Sequence, residues 1–230
     1  MKIDAYTVTA RIFPGILCAI PFFILHFFYL RPVLGQFWGE LLAVKITSDA
    51  TILIAFLFLH IQVSRYISKE FYERRIFKSG FSLPTTDYLL HSDSHFSRDY
   101  TNRIHAKIKV EFGIDVLTRE EELQVPDRSR QLIAEAVTHV RAKVGEGKLT
   151  GQHNAEYGFV RNLVGGSVIG LLVSIIDGII FSVVLPIPNA FWISFVLALL
   201  YLLVLIFANK LITAFGHSYA KVLIQEYMSM

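Results

Sequence analysis

Two groups of residues in this chain have the types and spacing that chemistry requires. The first is His91, Asp93, His95, Asp99 and His105, in the stretch HSDSHFSRDYTNRIH. Imidazole and carboxylate are the usual ligands of zinc and related ions. On a helix, His91 and His95 share a face, Asp99 joins them at the next turn, and Asp93 points away. A His-His-Asp metal site is therefore geometrically open. The glutamate of the zincin pattern and a second ligand cluster are missing, so the solvated face of an amphipathic helix explains the same residues, and no metal or other cofactor is assigned. The second group is Lys45, Asp49 and Asp177, three charges set inside apolar runs. A charge near mid-bilayer costs on the order of 2.5–3.5 kcal/mol, so it ordinarily faces a partner, a cavity or an ion path.

The soluble stretch also has a nucleolytic reading. In RDYTNRIH, Arg98 is followed by Asp99, and His105 comes after six intervening residues. This resembles the short arginine–histidine motif of HEPN ribonucleases, whose helical domains place both side chains at a dimer cleft. The resemblance covers eight residues and implies a membrane-tethered RNase. Any amphipathic helix also sets residues seven apart on one face, so no catalytic residue is assigned.

The elements that must hold these residues follow from composition. The 230-residue chain is 53% hydrophobic and 18% charged, with mean hydropathy +0.50. That excludes an ordinary globular domain and predicts an all-α integral membrane protein. Four apolar runs, 12–30, 41–63, 160–185 and 190–211, approach or exceed the ~20 residues a hydrocarbon core requires. Joined by RPVLGQFWGE and LPIPN, they predict two transmembrane hairpins, 1–63 and 160–211. These flank a helical domain at 64–159, and an amphipathic tail follows at 212–230. The first run lacks the small-residue cleavage site of a secretory signal and reads as a retained helix. Basic residues near the spans collect in RYISKEFYERRIFK and toward both chain ends. By the positive-inside rule, both termini and the central domain are expected in the cytoplasm of a bacterial inner membrane. Residues 64–159 contain 15 Lys and Arg against 14 Asp and Glu, without the basic excess of a nucleic-acid surface. Cys18 stands alone, so no intramolecular disulfide forms, and it reads as a small apolar filler.

In the third run, Asn162, Gly166, Gly170, Ser174, Gly178 and Ser182 recur at every fourth position. Small residues in such a ridge let helix backbones approach closely. The ridge predicts a packing seam within one chain or a seam between subunits that lines a pore. Asp177 lies beside it, about 12 Å below the outer surface at 1.5 Å per residue, and Asp49 has the same depth on the second run. Lys45 and Asp49 are spaced i and i+4 and can pair on one helix face. Asp177 is then the candidate unpaired charge of a polar cluster that is either structural or gating. His26 and His60 are expected at the interfaces, and Pro21 is expected to kink the first span.

Helix punctuation organises the central domain. A basic helix extends the second span to Gly80, and Thr86 or Asp87 caps the next helix. Tyr100, Ile104, Ile108 and Phe112 share one face up to Gly113. Thr118 and Glu121 have capping-box spacing. A further helix, capped by Asp127 and ended by Gly145, turns Leu132, Ala136, Val137, Val140 and Val144 inward. So small a domain buries little core alone, so it is expected to pack on itself or on other subunits. The tail is expected along the membrane or on the central domain. Tyr157, Phe159 and Arg161 hold anchor positions where the domain joins the third span, and a coupling elbow is their sharper role.

No phosphate-binding glycine loop, cysteine pair or nucleophile elbow is present. The layout of two hairpins around a compact module is similar to that of small multipass membrane proteins of prokaryotic antiviral defence systems. That resemblance implies a membrane effector or a membrane platform. The first expectation is an oligomeric, channel-like effector whose cytoplasmic domain senses a small-molecule ligand or a protein partner. A membrane-anchored scaffold or sensor that recruits a soluble effector is the alternative, and a membrane-tethered RNase or metal hydrolase, using Arg98 and His105 or His91, His95 and Asp99, is the second. The partners expected are the lipid bilayer, further copies of the chain and a cytosolic protein, with no direct nucleic-acid contact.

Overall fold

The computed structural model describes residues 4–37, 42–78, 83–145 and 147–230, and the side chains at 36–37, 42–49 and 148 lie outside that description. Every regular element among the described residues is helical. The helices are α1 (Ala5–Gly35), α2 (Leu42–Ile67, continued by a π stretch Ser68–Glu73 and a last turn Arg74–Ile76), α3 (Pro84–Asp87), α4 (Arg98–Phe112), α5 (Arg119–Gln124), α6 (Pro126–Val144), α7 (Lys148–Ile179), α8 (Pro188–Ile206) and α9 (Ala208–Ser229). Four helical stretches are long and apolar enough to cross a membrane: Ala5–Gly35, Ala50–Ile76, Leu149–Val184 and Pro188–Ile206. The last ends at Phe207, whose φ of −92° and ψ of 4° leave the helical region. Residues 208–211 therefore begin α9 and do not finish the fourth span.

The chain forms two compact units, one of residues 1–72 and 158–210, the other of residues 73–157 and 211–230. In the first unit, glycines and serines set the helix approach. A Cβ on Gly15 of α1 would fall 2.5 Å from Ile61 Cγ1 of α2, and one on Gly166 of α7 would fall 2.8 Å from Cys18 Sγ of α1. Gly165 lies directly against the Ser64 backbone carbonyl of α2. Without hydrophobic attraction between spans, such contacts supply the packing that holds a membrane bundle.

The two prolines of α1 show how its backbone is satisfied. Pro14 and Pro21 have no N–H to give to the carbonyls four residues back, those of Ala10 and Leu17. Side chains from other helices reach both. Asn162 Nδ2 donates to Ala10 O at 2.5 Å, and the Tyr201 hydroxyl of α8 donates to Leu17 O at 2.8 Å. Proline in the apolar span thus creates acceptors that bind neighbouring helices.

The second unit has its own apolar core. Leu89 and Leu90 meet Ile104 and Ile108 of α4, a row from Ile133 to Val144 on α6, and Ala220, Leu223, Ile224 and Tyr227 of α9. The α9 residues follow i, i+3, i+4, i+7, one stripe of a helix, and each is at most 2% exposed. Lys107 Nζ donates to Tyr227 O at 2.8 Å, and the Tyr227 hydroxyl donates to Glu111 at 2.9 Å. Glu226 accepts from Thr150 N at 2.8 Å in the first turn of α7, where a carboxylate complements free N–H groups.

Local punctuation matches and departs from expectation in instructive ways. Thr118 and Glu121 form a reciprocal capping box, and Gly113 closes α4 at φ +68°. Asp127 is not the cap of α6: Pro126 takes the first helical position and Asp127 sits in the first turn. Ala136, Val137, Val140 and Val144 are buried as expected, while Ile133 takes the inward place given to Leu132, which is half-buried. Thr86 and Asp87 lie within α3, whose N-cap is Leu83. Gly80, the expected helix stop, lies outside the described residues.

Candidate functional site

Asp177 is the residue with the most demanding surroundings. It is 0% exposed on α7, with Ser174 at 2% on the same helix and Ser194 at 0% on α8. Ser194 is the polar group beside the carboxyl. Neither Asp177 oxygen has a hydrogen-bond partner among the described residues, and the hydroxyls of Ser174 and Ser194 likewise have none. The helix changes to a π turn at Ile180–Val184, immediately beyond Asp177. Single π turns recur where helices serve function. Buried polar groups almost always find partners, so three unsatisfied ones in an apolar bundle need an explanation beyond packing.

A register argument adds a fourth polar group at this level. Helices α1 and α7 touch at Ala10 with Asn162, at Cys18 with Gly166 and Gly170, and at Phe28 with Phe181, whose rings are 6.2 Å apart. Along that register, His26 is level with the turn from Ser174 to Asp177. His26 is 0% exposed, and it opens a second π turn, His26–Leu30. His60, at 2% exposure, is likewise buried against neighbouring helices. Phe22 stacks on Phe56 at 3.4 Å, and His26 and His60 extend that stack in opposite directions along the helices.

The ridge divides at Ser174. Asn162, Gly166, Gly170 and Ser174 are buried within the unit. Gly166 packs against Cys18 and Gly170 against Tyr201. At Gly178 an added Cβ would meet nothing within 4 Å, and Ser182 is exposed. Both line an apolar groove of about 460 Å³ between α7 and α8, along with Phe191 and Phe195. Lys45 and Asp49 belong to α2 by backbone, but their side chains lie outside the described residues.

The three elbow residues have separate settings on one helix. Tyr157 is buried in the second unit, with its ring parallel to Tyr219 at 6.3 Å. Phe159 packs on Phe13 at 6.1 Å in the first unit. Arg161 is within electrostatic reach of Arg65.

The histidine-rich stretch folds differently from the helix assumed for it. Residues 88–97 form turns and bends, and α4 begins only at Arg98, capped by Ser97. The helical face of His91, His95 and Asp99 therefore does not exist. Among the described residues, no group of three or more His, Cys, Asp or Glu is placed to hold a metal ion. His91 and His105 meet edge to face at 4.8 Å, and each donates through Nε2 to a backbone carbonyl, Leu117 at 3.2 Å and Leu89 at 2.7 Å. Burial pulls the His105 imidazole below its ordinary pKa, against the Leu89 bond. Arg98 is exposed in the first turn of α4 while His105 turns inward.

The organiser of this stretch is Glu122, which the sequence did not single out. It is 4% exposed and accepts from His91 N and Ser92 N, both at 2.9 Å. Burial presses its carboxyl upward, but the hydrogen bonds from His91 and Ser92, with the His91 imidazole nearby, together outweigh burial and hold it below the usual carboxylate range. Three consecutive glutamates gave no local sign of which one turns inward.

The fold defines an all-helical chain with four helices of membrane-spanning length and hydropathy. Comparison with protein families, curated proteins and solved structures finds no match.

Proposed function

We propose that this chain is a channel-like effector of the bacterial inner membrane that works as a homo-oligomer. Its two helical hairpins span the bilayer, with both termini and the second unit in the cytoplasm. The second unit senses a ligand or a cytosolic partner, and the response is gated at Asp177. The observation behind the proposal is the Asp177 carboxyl, wholly buried close to Ser194 and with no hydrogen bond within normal geometry among the described residues. Charge at this depth is tolerated where a cation or water reaches it, and two serine hydroxyls with free lone pairs offer further oxygens to such a visitor. The orientation is supported by the basic stretch 65–78. The layout resemblance to antiviral membrane proteins supports a role in phage defence.

The test is membrane potential in bacterial cells after induction, followed with a voltage-sensitive dye during phage challenge. Wild type is expected to depolarise the cells, and Asp177→Asn, at matched membrane expression, is expected to abolish the response. Equal silence of both proteins under challenge overturns the channel reading in favour of a membrane scaffold for a soluble effector.

A further inference from the structure

Three arginines from three different helices converge in the first unit. Arg11 of α1 and Arg161 of α7 both lie within electrostatic reach of Arg65 at the end of α2. Backbone contacts next to each arginine bring the three helices together at this level. Asn162 is bonded to Ala10 O, Gly158 packs on Ala10, and Gly165 lies against the Ser64 carbonyl. Helix packing therefore holds three like charges together, which repel one another. Polar and aromatic groups lie beside Arg65 and Arg11. Gln62 accepts from Arg65 at 3.1 Å, Arg11 sits 5.3 Å over the Tyr6 ring, and Asp4 reaches Arg11 electrostatically while capping Thr7.

We infer that Arg11, Arg65 and Arg161 form a binding site for the phosphate of an anionic phospholipid. Guanidinium groups match phosphate oxygens bidentately, and basic pockets between membrane helices at one face of the bilayer take anionic headgroups. Aromatic side chains next to the cluster fit a lipid better than a soluble phosphate. Phe13 is 54% exposed and packs on Phe159, and Tyr66, 63% exposed, lies beside Arg65 in sequence. Aromatic rings at this level mark the headgroup zone of a bilayer, and Phe13 gives an acyl chain an apolar wall next to the charges. The inference rests on the four helices crossing a bilayer and is independent of conduction at Asp177.

Native mass spectrometry of the full-length protein in detergent, supplemented with dioleoyl phosphatidylglycerol or dioleoyl phosphatidylcholine, tests it. Wild type is expected to retain the anionic lipid in preference to the zwitterionic one. Arg65→Gln and Arg11→Gln are each expected to weaken retention about five-fold, the value of one basic residue at a membrane surface. Lys210→Gln, outside the cluster, is expected to bind as wild type does. Arg65→Lys keeps the charge and guards against misfolding, and it should recover most of the binding. Equal retention of both lipids, or undiminished retention in both glutamine variants, overturns the inference. Displacement of the lipid by excess inorganic phosphate overturns the lipid assignment and makes the cluster a soluble phosphate site.

Discussion

The close approach of α7 to α2 can be tested with one methyl group. At Gly165 an added Cβ would run into the Ser64 backbone carbonyl and lie 2.9 Å from Ser68 Cβ. A carbonyl cannot swing aside as a side-chain end can, so the helices must separate, and overpacking of this kind costs about 1–3 kcal/mol. Gly178 lies on the same helix and meets nothing within 4 Å. Both Gly→Ala changes gain helix propensity of about 1 kcal/mol, so the difference between the two variants isolates the clash. At roughly 2–4 °C per kcal/mol for a chain of this size, Gly165→Ala is expected to unfold about 2–12 °C below Gly178→Ala. Thermal unfolding followed by intrinsic fluorescence in one detergent at pH 7 measures it. Equal melting temperatures would refute the proposed contact between α7 and α2 and, with it, the packing of the first unit.

Two further outcomes follow from single interactions. Tyr201→Phe removes the donor to Leu17 O, and leaving that buried acceptor unpaired costs about 1–3 kcal/mol; in a Pro21→Ala background the restored N–H should shrink the loss, and an undiminished loss in a double-mutant cycle would show that the proline is not the reason for the bond. Glu122 has a folded pKa below its unfolded one, so its stabilisation is present above the ordinary carboxylate range and is lost as pH falls through the folded value. Amide exchange at His91 and Ser92 should accordingly speed up on acidification, and Glu122→Gln should exchange faster already at neutral pH; protection unchanged by both would refute the anchoring role.

What the sequence made legible was periodic or strictly local. Four apolar runs announce four membrane-length helices, because length and hydropathy are one-dimensional properties. The Thr118–Glu121 box and the Gly113 stop are legible for a similar reason: a cap is formed by residues three or four apart. The helix drawn through His91 and His95 failed because the decisive bonds come from Glu122, some thirty positions on. Propensity cannot register a carboxylate supplied from another element.

The sequence by itself determined that this chain is helical and apolar over four long stretches, and that small residues and a carboxylate share one of them. Only the tertiary structure decided how those residues are used. Asn162, Gly166, Gly170 and Ser174 close against helices of the same chain, while Gly178 and Ser182 stay open. Tyr201 and Asn162 seek the carbonyls that prolines leave without a partner. Asp177 is enclosed with no hydrogen-bond partner among the described residues, and three arginines far apart in sequence are brought together. The physical reason is that a four-residue period fixes which side of a helix a residue occupies but not what faces that side. The facing surface depends on the register between helices, which is set by the closest backbone contacts and satisfied polar groups of the whole bundle.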